Sequence, residues 1–335
     1  MAKKRIKDTD YLAISARIRA LETGLMTKED YDQLITARTT EDAEKLLSTF
    51  GYEGLDPTIP EGMDAALTLE RAELFEEMGD AAPDARYLDI FKIKYDYHNI
   101  KVLLKAEATG AEAGHMLADL GRVRVEELFE AMREKRAHEL PGLLGAAEAE
   151  AREVLSTTRD PQLADAVLDR WYFADLLQAA DETGSEFLKG YVRTQIDGAN
   201  LRTLVRTLRM GKNTEFLRGV LFPGGDMAEE ELLRVSAAGG NGLAELYATT
   251  PFAAAAAAGA EALSGGTLTE FEKRCDDAVD GYLEGSQLVP FGEAPLVSYL
   301  AYRETEYTNL RIVLMGRMLG LEPDVIRARL RTGYR

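Results

Sequence analysis

Apolar residues recur along this chain at intervals of three and four, with capping residues at the breaks. Tyr11, Ile14, Ile18 and Leu21 fall on one face of a helix predicted over Tyr11 to Thr23, and Gly24 is placed to stop it. Thr27-Lys-Glu-Asp30 reads as a capping box ahead of Tyr31, Leu34 and Ile35. Thr39-Thr-Glu-Asp42 repeats the device before Ala43, Leu46, Leu47 and Phe50, and Gly51 ends that helix. Asp160-Pro161 sets a cap before a proline at the first helical position, ahead of Leu163, Val167 and Trp171. Glu322-Pro323 opens a last helix in the same way, with Val325, Ile326 and Leu330 expected to face inward. Loops are expected at Gly51–Gly62, Gly211–Asp226, Gly239–Gly242, Ser264–Thr267 and Gly285–Pro295. No sustained alternating run bounded by turn residues argues for a sheet. The predicted fold class is all-α.

A pattern repeats three times. Asp96-Tyr-His-Asn99-Ile-Lys101-Val-Leu-Leu104 matches Asp197-Gly-Ala-Asn200-Leu-Arg202-Thr-Leu-Val205 and Glu306-Tyr-Thr-Asn309-Leu-Arg311-Ile-Val-Leu314. The asparagines lie 101 and 109 residues apart. A second landmark, Met26-Thr-Lys-Glu-Asp-Tyr, Val123-Arg-Val-Glu-Glu-Leu and Met227-Ala-Glu-Glu-Glu-Leu, opens an amphipathic stretch 73, 77 and 82 residues before each asparagine in turn. Two ordered landmarks recurring three times predict three related helical units, with approximate bounds 1–112, 113–213 and 214–335.

On a helix the acid, the asparagine and the aliphatic residues project to one side, so acid and amide stand at the N-terminal end of a buried stripe. Asparagine is a poor helix former, and three of them in helices suggest amides bonded to neighbouring backbone. Lys101, Arg202 and Arg311 lie on the flank of that stripe, within reach of an adjacent unit. The nine motif residues are assigned first to architecture, with a binding surface as the lesser reading.

The 335 residues carry 58 acids against 40 bases, a formal charge of −18, which disfavours nucleic acid as a partner. One cysteine, Cys275, excludes an internal disulfide and a zinc site of the usual kind. No phosphate-cradling loop is present: Gly211-Lys212 is followed by Asn213 and lacks the glycine five residues earlier. His98, His115 and His138 lack the spacing of a helical metal pair. Tyr95-Asp96-Tyr97-His98 could pass for an acid–base cluster, but the positions matching His98 hold Ala199 and Thr308. Asp276-Asp277 and Glu229-Glu230-Glu231 are expected as solvated helix faces or first turns. No catalytic site, metal or cofactor is therefore expected. No apolar run is long enough to span a bilayer, and Asp8-Thr-Asp10 interrupts the basic N-terminus where a signal peptide needs apolar residues.

The C-terminal stretch differs in sign. From Arg303 to Arg335 seven arginines stand against four acids. Arg317, Arg327, Arg329 and Arg331 form a candidate basic strip for an acidic protein partner or for another part of this chain. Gly316 to Ile326 also has the outline of a helix–turn–helix, which the global charge argues against as a DNA reader.

The run Val289-Pro-Phe-Gly-Glu-Ala-Pro-Leu-Val-Ser-Tyr-Leu300, continuing through Arg303-Glu-Thr-Glu-Tyr-Thr-Asn-Leu-Arg311 to Leu319-Gly-Leu-Glu-Pro323, resembles the C subunit of bacterial and archaeal V/A-type ATPases, whose eukaryotic counterpart is the d subunit. Asp96 to Lys101, Asp197 to Arg202 and Leu221-Phe-Pro-Gly-Gly-Asp226 resemble that family in the same order. The resemblance covers nearly the whole chain. It implies three similar helical domains in pseudo-threefold arrangement, forming a funnel. It also implies a non-catalytic socket, one copy per complex, that joins central-stalk subunits of the D and F type to the proteolipid ring. Such a socket would couple ATP hydrolysis or synthesis to proton or sodium transport, from the cytoplasmic face of the membrane. Docking is expected through ring and stalk, with little direct lipid binding despite the bases Lys3, Lys4, Arg5 and Lys7. The rival readings are a helical-repeat adaptor unrelated to a rotary ATPase and an enzyme whose carboxylates converge from different helices.

Overall fold

The computed structural model describes residues 7–56 and 58–333, which contain helices, turns and irregular segments and no strand. Lys3, Lys4, Arg5 and Arg335 fall outside the described residues. The first part of the chain forms α1 (Leu12–Leu21), α2 (Lys28–Thr36), α3 (Thr40–Thr49) and α4 (Pro60–Ala81). There follow α5 (Asp89–Thr109), α6 (Val125–Arg133), α7 (Leu144–Thr158) and α8 (Pro161–Thr183). Next come α9 (Glu186–Arg209), α10 (Thr214–Val220), α11 (Glu229–Ala237), α12 (Leu243–Tyr247), α13 (Ala253–Leu263) and α14 (Leu268–Leu283). The chain closes with α15 (Glu293–Met318) and α16 (Pro323–Arg327).

Local chemistry sets many of these ends. Thr27 and Asp30 form a reciprocal capping box at α2, and the Thr39 hydroxyl accepts from the Asp42 N–H at 3.1 Å. The Asp160 carboxylate accepts from the Gln162 N–H at 2.9 Å, one residue into α8 from Pro161. Two expectations are corrected. The stretch Gly211–Asp226, expected as a loop, contains the short helix α10, capped by Asn213 and anchored by buried Leu217. In α16, Ile326 is buried as expected, but Val325 is 42% exposed because a five-residue helix turns only one side to the core.

The three helices that carry the repeated motif, α5, α9 and α15, are among the longest, at 21, 24 and 26 residues. Each packs against another long helix: α5 against α8, α9 against α14, and α15 against α4. In every case that companion directly precedes the next motif helix along the chain, or, for α4, the first one. A glycine eleven residues past each asparagine ends the motif helix: Gly110, Gly211 and Gly320 have φ of 69°, 65° and 65°. That left-handed conformation is the one glycine adopts without a Cβ penalty. One hydrophobic core runs from Tyr11 through α8 and the first part of α9 to α15 and Ile326. A second surrounds Leu201, Leu204 and Val205 of α9 with α10 to α14.

Candidate functional site

Each asparagine of the motif grips one backbone residue by both its polar groups. Asn99 Nδ2 donates to the Ala118 carbonyl (2.8 Å) while its Oδ1 accepts from the Ala118 N–H (2.9 Å). Asn200 holds Phe222 in the same way, at 2.8 Å in both directions. Asn309 holds Arg331, at 3.1 Å to its carbonyl and 2.8 Å from its N–H. All three amides are buried, so this pairing meets the requirement that enclosed polar groups be satisfied.

The acid one turn earlier accepts backbone N–H groups. Asp96 accepts from Val123 (3.2 Å), Asp197 from Asp226 (3.1 Å) and Met227 (3.0 Å), and Glu306 from Met26 (2.7 Å). Val123, Met227 and Met26 are the first residues of the second landmark. The hydrogen bonds therefore join the second and third landmarks to the motif before them in the chain. The first landmark, with no motif before it, joins the last motif, 280 residues further on.

The surroundings of the acids differ. Arg122 donates to Asp96 (2.8 Å) and to both oxygens of Asp175 (3.1 and 2.7 Å). Burial pushes the Asp96 carboxyl above its ordinary range, and Arg122 pulls the other way. Burial also raises Asp197, opposed by the two backbone N–H groups. Glu306 takes bonds from Tyr52 Oη and from Arg303 (2.7 Å). The flanking bases reach the companion helices: Lys101 pairs with Asp169 of α8, Arg202 with Glu272 and Asp276 of α14, and Arg311 with Asp64 of α4.

The backbone comes close enough to two of the acids to leave no room for a side chain. A Cβ built on Gly121 would overlap Asp96 Oδ1, and one built on Gly225 would overlap Asp197 Oδ1. Both glycines lie two residues before their landmark. Gly24 has the same place before Met26, yet a Cβ there meets nothing within 4 Å. Glu306 is one methylene longer than an aspartate and reaches its landmark from further off.

Three of the four candidate contact arginines are engaged within the chain. Arg317 donates to the carbonyls of Leu34 (2.8 Å), Ile35 and Ala37 (both 2.9 Å) at the free end of α2. Arg327 pairs with Asp32 and Asp324, and Arg331 pairs with Asp276. Arg329 is exposed. Asp276 and Asp277 are not a solvated face: both are half-buried, and Asp277 pairs with Lys273 and accepts the Thr332 N–H (2.8 Å). His98 is exposed, with Nε2 2.9 Å from the Met116 carbonyl oxygen, and His138 is exposed. Cys275 is buried, and that burial pushes its thiol pKa up to about 12. Among the described residues no cluster of His, Cys, Asp and Glu could hold a metal ion.

Sequence reasoning missed a cavity of about 350 Å³ where α5, α8, α9, α14 and α15 converge. Lys94, Gln195 and Glu304, each five residues before a motif asparagine, all line it. Burial works against the charge of Glu304, but Lys94 at 2.7 Å and Arg71 at 3.3 Å outweigh it and hold its pKa below the ordinary value. Asp280, on α14, faces the same space. Its carboxyl accepts from the Thr305 hydroxyl at 3.3 Å, and burial, with Asp276 and Asp277 nearby, drives its pKa well up.

A family model described as "ATP synthase (C/AC39) subunit" matches residues 14–329. The chain belongs to that family. Its relatives include the C subunit of the V-type sodium ATPase of Enterococcus hirae, 25% identical over 97% of this chain and 99% of the relative. The C subunit of the A-type ATP synthase of Methanocaldococcus jannaschii is 28% identical, over 95% of this chain and 85% of the relative. The C subunit of a V-type ATP synthase of Thermus thermophilus is 26% identical, over 93% of this chain and 95% of the relative. This member of the C/AC39 family is all-helical across its described residues, and none of the helices there is long and apolar enough to cross a membrane.

Proposed function

We propose that this C/AC39 family member is the non-catalytic socket of a rotary V/A-type ATPase. In this reading it receives the foot of the central stalk and rests on the proteolipid ring, one copy per complex, at the cytoplasmic face. The observation that carries the reading is the cavity lined by the same register position of each of the three motif helices, which would give the foot of a stalk somewhere to seat. The asparagines, each clasping one backbone residue by both polar groups, would give the motif helices the stiffness that torque transmission demands.

In place of the bounds 1–112, 113–213 and 214–335 expected from the sequence, we propose three units that each open on a motif helix, which these bonds favour: α5 to α8, α9 to α14, and α15–α16 with α1 to α4. The third unit thus takes both ends of the chain. We propose that the three stand about a common axis, as a funnel, and superposition of α5, α9 and α15 with their companions tests it. The nine motif residues are assigned to this framework. Contact with partners is left to surfaces such as exposed Arg329, because Arg317, Arg327 and Arg331 are engaged internally.

Affinity isolation of the tagged chain from detergent-solubilised native membranes tests the reading. Head, stalk and ring subunits of an ATPase should co-purify in fixed proportion. Recovery of the chain free of all three would overturn the assignment. Flotation with anionic liposomes, without ring subunits, should leave the chain at the bottom of the gradient; strong co-flotation would overturn protein-mediated docking.

A further inference from the structure

The cavity lining holds three cations, Lys94, Arg202 and Arg331, against three carboxylates, Asp276, Asp280 and Glu304, but their pairing is uneven. Each cation lining it is engaged: Lys94 with Glu304, Arg202 with Glu272 and Asp276, and Arg331 with Asp276. Asp276 is thus shared by two arginines, and Asp277 has Lys273 at 3.5 Å and the Thr332 N–H. Asp280 is left over. Among the described residues no cationic group lies within ion-pair distance of it, and its hydrogen bond comes from the Thr305 hydroxyl. Arg331 acts on it only from beyond contact distance, and a half-buried carboxylate with no cation in contact costs a folded protein stability.

The aromatic part of the lining suits a cation. Phe91, Tyr172, Phe173 and Tyr191 contribute aromatic surface to the same cavity. Ring faces attract ammonium and guanidinium groups, more strongly where water is thinned out. The volume of about 350 Å³ corresponds to roughly ten waters, enough for one extended side chain and too little for a folded segment.

We infer that this cavity takes one lysine or arginine side chain from the protein seated in it, with Asp280 as its counter-charge and the aromatic residues as its walls. The inference rests on the socket reading and narrows it to one pairing. Asp280 acts as a positioning and specificity residue: it costs the empty protein stability and rewards the arrival of a cation.

Titration calorimetry of the purified chain with the purified central-stalk subcomplex tests this, run beside thermal melts of the chain alone. Asp280→Asn should weaken stalk binding at least tenfold and at the same time raise the melting temperature of the free chain. A structural role would move both in the unfavourable direction. Asp280→Lys should weaken binding further, and replacing the inserted cation of the stalk by glutamate should restore it. Unchanged affinity in Asp280→Asn, with the wild type binding well, overturns the pairing and leaves the socket reading intact. No binding by the wild type overturns the socket reading itself and the pairing with it. Stabilisation of the wild type by butylammonium but not of Asp280→Asn, with stalk affinity equal in both, would assign the cavity to a small organic cation and overturn the inference.

Discussion

Replacing Gly225 by alanine should damage this protein, and the same change at Gly24 should not. At Gly225 the new methyl would overlap Asp197 Oδ1 and lie 3.1 Å from its Cγ and 3.2 Å from Ile196 Cγ2. The carboxylate cannot retreat freely, because it accepts the N–H groups of Asp226 and Met227 at 3.1 and 3.0 Å. Overpacking alone costs about 1–3 kcal/mol. A hydrogen bond to a charged group contributes about 1.5–3 kcal/mol, so losing both adds up to about 6. A destabilisation of at least about 3 kcal/mol is expected. Gly121→Ala, against Asp96, should behave alike. At Gly24 the methyl enters open space and the backbone is outside the left-handed region. There the smaller entropy of the unfolded chain should leave stability unchanged or raise it by up to about 1 kcal/mol. Urea unfolding followed by far-UV circular dichroism measures all three. A loss below about 1 kcal/mol at Gly225, or a loss above that at Gly24, would refute the close-approach argument.

Asn200→Ala would orphan the Phe222 N–H and carbonyl, at about 1–3 kcal/mol for each buried group, read by the same unfolding assay. The stability gained by Asp280→Asn should depend on pH. A carboxyl whose folded pKa lies above its unfolded value near 3.8 destabilises the native state only once ionised, so the gain should be largest near neutrality and fade as pH falls towards that value. Glu304 has the opposite sign: its lowered folded pKa means that its contribution is present above the ordinary glutamate value and lost as pH falls through the folded one, which Glu304→Gln should abolish in a stability–pH profile. A chain ended after Gly320 leaves Asn309, Asp276 and Asp32 without their C-terminal partners, and hydrogen exchange should quicken in α2 and α14 while α6 to α8 keep their protection. The purified full chain should show no ATP turnover, since no phosphate-cradling loop exists in it; activity that survives repurification would contradict this.

Legible in the sequence was whatever is decided within a few residues. Thr27, Thr39 and Asp160 announce helix starts because a cap and its N–H lie two or three residues apart. The buried asparagines were legible because an amide inside a helix needs a partner. α10 was obscured because one buried residue, Leu217, supplies no periodicity. The glycines at Asn+11, and those two residues before each landmark, carry a further signal in the sequence, one that only the helix ends and the carboxylates make plain. The bond between Met26 and Glu306 was not accessible, since spacing within a repeat cannot say which copy closes on which. Nor was the cavity, which depends on which faces of five helices meet.

That bond also fixes an order of events during synthesis. A ribosome adding roughly 5–20 residues per second needs about 14–56 s to pass from Met26 to Glu306. Throughout that interval the end of α2 leaves the carbonyls of Leu34, Ile35 and Ala37 waiting for Arg317. The region from α5 to α14 carries its own clasps, on Ala118 and Phe222, and can settle as it emerges. The segment from α1 to α4 must therefore remain unfinished while α5 to α14 are made, exposed to proteases and chaperones until α15 leaves the tunnel. A stalled or prematurely ended chain would carry a folded middle and an open beginning, a form that quality control can tell from the completed protein.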